Sequence, residues 1–100
     1  MQTRVVNCSK TNYDVYIGRA MPGKAGSPFA NPFKIGVDGT RDEVIKKYED
    51  YIRSRPDLLE LIPSLEGKIL GCWCKPKRCH GDVLVKLINE LKIENKFFIF

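Results

Sequence analysis

No apolar run in the chain approaches the length needed to cross a bilayer, which argues against a membrane-spanning helix. Met1-Gln2-Thr3-Arg4 leads directly into a strand-like stretch and carries none of the regions of a signal peptide, so a soluble intracellular protein is expected. Internal repeats and low-complexity segments are missing. So are G-x-G-x-x-G and the P-loop pattern, which leaves any phosphate binding to be explained by other residues. Acidic residues are in deficit, with 12 Asp and Glu against 17 Lys and Arg and a net charge of +5. The deficit is uneven: residues 1–66 hold ten basic against nine acidic side chains, whereas residues 67–100 hold seven against three. A basic second segment suits an anionic partner such as a nucleotide or a nucleic acid.

What is present reads as one globular domain. The 100 residues are 43% apolar and 29% charged, near the average for folded proteins, and too few for two cores. Arg4-Val5-Val6-Asn7 and Asp14-Val15-Tyr16-Ile17 are short β-branched runs that read as strands. Residues 18–39 form a long loop that holds five of the eight glycines and three of the six prolines. Thr40-Arg41-Asp42-Glu43 is a capping box, followed by Val44, Ile45, Tyr48, Tyr51 and Ile52 at helical spacing. Further helical turns are expected between Pro56 and Pro63. Gly67 to Trp73 reads as a buried strand, and Asp82 to Lys92 as an amphipathic helix. The order predicts an α/β fold, a small mixed or mostly parallel sheet of three to four strands with helices packed on it.

Three of the four cysteines and the single histidine crowd into nine residues, as Cys72, Cys74, Cys79 and His80. Without a secretory leader, such clustering points to reduced thiols or a metal site rather than disulfides. Cys72 and Cys74 share a face of the strand and are neighbours by geometry, while Trp73 faces the other way and is most simply core. Three readings follow. Cys72, Cys74, Cys79 and His80 are the ligand types for tetrahedral zinc, although their spacing is not that of standard structural sites. Alternatively, Cys79 is a nucleophilic thiolate with His80 as base or donor and Asp82 orienting it or capping the helix. The nearby helix end and Lys75, Lys77 and Arg78 would then lower its pKa and gather phosphate. In the third reading the cluster is simply buried structure.

Arg19 follows the second strand directly and can grip a phosphate or carboxylate, and Asn31 in Asn31-Pro32-Phe33 can bond a base or a backbone turn. The segment 96–100, which ends in Phe97-Phe98-Ile99-Phe100, needs cover, either as an edge strand or in a homodimer.

Val15-Tyr16-Ile17-Gly18-Arg19, Asn31-Pro32-Phe33, Gly67 to Cys74 and Cys79-His80-Gly81-Asp82-Val83-Leu84 together resemble the family known as domain of unknown function 4326, from about Val5 to Leu91. The resemblance implies a short phage, bacterial or large-DNA-virus protein, placed in the host cytoplasm or the virion. It selects Arg19, Asn31, Cys72, Cys74, Cys79, His80 and Asp82, and brings no activity with it. The combined expectation is a module that binds a nucleotide or other phosphate-bearing ligand between Arg19 and the Cys79-His80 helix end. The competing one is a non-catalytic virion or accessory protein that dimerises and contacts nucleic acid or a protein.

Overall fold

Three short strands pair into one sheet in a computed structural model of the chain, which describes residues 2–93. They are β1 (Arg4–Asn7), β2 (Val15–Tyr16) and β3 (Ile69–Cys72), lying in the order β1-β3-β2 with both pairings parallel. Val5 and Val15 flank Leu70, and Val6 and Tyr16 flank Gly71. Partners in a parallel pair share a face, so Val5, Leu70 and Val15 point one way and Val6, Gly71 and Tyr16 the other.

The Leu70 face carries the helices: α1 (Arg41–Arg53), the short α2 (Pro56–Leu59), a 3₁₀ turn over Ile62–Leu65, and α3 (His80–Ile93). The capping box forms as read, and the buried stripe of α1 is Val44, Tyr48 and Ile52. Tyr48 and Ile52 of that stripe share a core with Leu84, Leu87 and Ile88 of α3 and with Ile17 and Leu70 of the sheet side. Residues 8–14 join β1 to β2, two parallel strands on either side of β3. Where Tyr13 of this connection lies against β3, a Cβ on Gly71 would come within 2.6 Å of its ring, so glycine is required.

Helix α3 starts at His80 rather than Asp82, because a cysteine, unremarkable as a capping signal, occupies its N-cap position. Gly81 then lets the helix settle onto the sheet. A Cβ there would meet Ile17 Cδ1 at 2.8 Å and Val5 Cγ2 at 2.9 Å. Among the described residues, no helix is long and apolar enough to cross a membrane. The apolar segment 96–100, and any dimer made through it, lies outside the described residues.

Candidate functional site

The carboxyl ends of β2 and β3 and the amino ends of α1 and α3 surround a cleft of about 550 Å³. Ligands of open α/β sheets bind at such strand ends, and the volume falls within the roughly 300–1,000 Å³ of small-molecule sites. Each border of the cleft comes from a different stretch of chain: Gly18 and Arg19 after β2, Arg41 and Val44 in α1, Cys72 to Cys74 at the end of β3, and Cys79 and His80 at the start of α3.

Cys72, Cys79 and His80 are buried, and one potential ligand atom from each lies within 4.8 Å of the others, a group able to hold a metal ion. The Gly81 amide donates to Cys79 Sγ at 3.3 Å and the Cys74 amide to Cys72 Sγ at 3.3 Å. A hydrogen bond from the Cys72 thiol and the Gly81 amide hold the Cys79 pKa below the ordinary thiol value. The same thiol–thiol bond, together with burial, pushes Cys72 upward. His80 Nε2 lies 2.7 Å from the Ile17 carbonyl oxygen, and the ring packs edge-on against Tyr48 with centroids 4.9 Å apart. Burial lowers the His80 pKa, and because a carbonyl oxygen only accepts, Nε2–H donates to Ile17.

Cys74 is not one of these three, but its side chain hydrogen-bonds those of Cys72 and Arg41. Strand β3 ends at Cys72, yet the two thiols still meet. Cys74 still lines the cleft, half-buried, and burial raises its pKa. Asp82 does not orient His80. Its Oδ2 accepts from the Cys79 amide at 3.1 Å, and its Oδ1 pairs with Lys75 Nζ at 2.7 Å, so it caps the helix. Lys75 and Lys77 are absent from the cleft lining, whereas Arg78 is part of it and pairs with Asp42 of α1. The Cys79 thiol is tuned mainly by Cys72 and a helix amide, while the Lys75 ammonium is paired with Asp82.

Arg19 reaches across the cleft wall, donating from Nε to the Asn31 carbonyl at 2.9 Å and from Nη2 to the Phe33 carbonyl at 2.9 Å. Asn31 is buried, with Oδ1 accepting from the Phe33 amide at 2.9 Å and Nδ2 donating to Val44 O at 3.3 Å. Of the two roles expected for Asn31, the structure uses the backbone turn. Arg19 and Asn31 thus pin the long loop to α1, and Arg19 keeps other N–H groups for a ligand.

Three contributors escaped sequence reading: Trp73, Tyr16 and Arg41. Trp73 is 43% exposed, not core, because the sheet face opposite Cys72 carries the 8–14 connection instead of a helix. Its Nε1 donates to Tyr16 Oη at 2.9 Å, and Tyr16 Oη donates to Arg19 O at 2.7 Å. Arg41 donates from Nη1 to Arg78 O at 2.8 Å, tying the start of α1 to the turn before α3. The available signal for Arg41 was its place inside a helix-opening capping box, which explains the helix start without implying a cleft.

The model of a family described as a domain of unknown function (DUF4326) matches residues 2–90, a span that contains every cleft residue named above. The chain belongs to that family. Relatives include Uncharacterized protein R718 of Acanthamoeba polyphaga mimivirus, 43% identical over 81% of this chain and 71% of its own length. Another is the Uncharacterized 12.4 kDa protein in the nrdA-td intergenic region of Enterobacteria phage T4, 38% identical over 88% of this chain and 79% of its own. Viral and phage relatives agree with the resemblance read from the motifs. No solved structure matches the chain.

Proposed function

We propose that the cleft binds a nucleotide or another phosphate-bearing small molecule, with its anionic group against the arginines and its aromatic part against Trp73. The observation that carries this reading is the composition of the lining. Arg19, Lys34, Arg41 and Arg78 border the cleft, and among the described residues no carboxylate does. A site built for an organic cation or a neutral sugar has no use for four basic side chains and no carboxylate. Guanidinium groups match phosphate oxygens in pairs, and an exposed indole offers a stacking face.

Trp73 is the single tryptophan of the chain and borders the cleft, so its fluorescence reports on occupancy. Titration with nucleoside mono-, di- and triphosphates is expected to change that fluorescence saturably, with affinity falling as salt rises. Arg41→Ala should weaken binding about tenfold, the scale of one charge-assisted hydrogen bond. A flat titration with every phosphate compound, inorganic phosphate included, overturns the reading. The homodimer expected from the apolar tail is a separate proposal, tested by comparing the sedimentation of the full chain with that of a chain ending at Asn95.

A further inference from the structure

We propose that Cys72, Cys79 and His80 bind one zinc ion as three protein ligands, with the fourth coordination position turned into the cleft. This differs from a four-ligand site that includes Cys74, and it does not rest on the phosphate reading.

The first argument is distance. Tetrahedral zinc with bonds of about 2.0–2.3 Å places its donors about 3.5–4 Å from one another. The three donor atoms already lie within 4.8 Å of one another, so closing around an ion needs side-chain adjustments of about 1 Å or less. Two thiols and an imidazole also match the soft and borderline preference of zinc.

The second argument is the hydrogen bonding around the donors. Each is held from outside by the backbone: Cys72 Sγ by the Cys74 amide, Cys79 Sγ by the Gly81 amide, and His80 through its Nε2 contact with Ile17 O. Amide donors to both sulfurs stabilise thiolates. A ring N–H given to a carbonyl fixes the tautomer and leaves Nδ1 with the free lone pair. Packing alone accounts for buried cysteines, but it does not account for three convergent donors each oriented this way.

The third argument concerns the fourth position. Cys74 lies outside the group of three: its side chain contacts Cys72 and Arg41 without converging on Cys79 and His80. All three ligands line the cleft, so a remaining position on the ion faces the space that Arg19 and Arg41 border. Two cysteines, one histidine and an exchangeable ligand make up the composition of catalytic zinc sites, whereas closed four-ligand sets are structural. An anionic ligand in the cleft would then meet the ion and the arginines together.

The test uses cobalt(II) as a spectroscopic stand-in for zinc on the reduced, full-length protein, with no nucleotide present. Titration is expected to saturate at about one ion per chain, with thiolate-to-cobalt charge transfer and tetrahedral d–d bands that zinc abolishes by displacement. Cys72→Ser and Cys79→Ser should each lower cobalt affinity more than about 100-fold, beyond the usual cost of losing an outer-shell partner. Cys74→Ser should keep both affinity and spectrum. Added azide should shift the d–d bands by taking the exchangeable position. Folded, reduced wild-type protein without a charge-transfer band overturns the site. Loss of binding in Cys74→Ser, or bands indifferent to azide, overturns the open position in favour of a closed one. Circular dichroism checks the fold of each variant, and should Cys72→Ser fail to fold, the wild-type, Cys74→Ser and azide measurements decide the matter unaided.

Discussion

The two long helices both begin with reciprocal side-chain-to-amide hydrogen bonds, built from different chemistry. At the start of α1, Thr40 Oγ1 accepts from the Glu43 amide at 3.2 Å, and Glu43 Oε1 accepts from the Thr40 amide at 2.9 Å. At the start of α3, Cys79 Sγ accepts from the Gly81 amide and Asp82 Oδ2 from the Cys79 amide. The first box is exposed and uses the best capping residues, whereas the second is partly buried and uses sulfur, a weak acceptor. A cap alone would be better served by serine. The cysteine instead stands in the cleft beside a second thiol, where the proposed zinc site would use it.

Matched substitutions at equivalent positions break the comparison most sharply at the second helical residue. Gly81→Ala should cost about 1–3 kcal/mol in chemical denaturation, because its methyl group collides with Ile17 and Val5 and α3 must lift. Asp42→Ala, at the same place in α1, removes an exposed ion pair with Arg78 and should cost under about 1 kcal/mol. Equal losses at the two positions would show that α3 does not depend on close approach to the sheet.

Cap removal comes next in size. Asp82→Ala and Thr40→Ala should each destabilise by about 1 kcal/mol in the same denaturation experiment, with Asp82 the costlier since it also releases Lys75. Cys79→Ser should change stability by about 0.5 kcal/mol or less, since serine restores a better acceptor at the cap, yet it should lower cobalt affinity more than about 100-fold. A Cys79→Ser protein destabilised as strongly as Thr40→Ala would mean that the sulfur is there for packing.

The smallest effect concerns pH. Backbone and side-chain hydrogen bonds from Thr40 hold the Glu43 carboxyl below its ordinary value of 4.5. A group with a depressed folded pKa contributes stability above its unfolded pKa and loses it as pH falls through the folded one. Glu43→Gln should therefore flatten part of the loss of stability between about pH 5 and pH 3, measured by urea unfolding at each pH. An unaltered acid limb would mean that the first box is maintained without charge.

Local structure was legible because its causes are local. The Thr40 box, the stripe Val44, Tyr48 and Ile52, the turn after Cys72 and the crowding of Cys72, Cys79 and His80 all follow from residues within one or two turns of one another. The family resemblance was legible for the same reason, as it rests on short motifs. Only the tertiary structure decided which of these residues share a cleft. Arg19, Arg41 and Cys79 are distant in sequence and meet because β3 inserts between β1 and β2 and carries its carboxyl end to the start of both helices. The exposure of Trp73 depends on which sheet face the helices cover, and the meeting of Cys74 with Arg41 on where β3 stops and α1 begins. Both are set by packing between segments far apart in sequence, which no local period encodes.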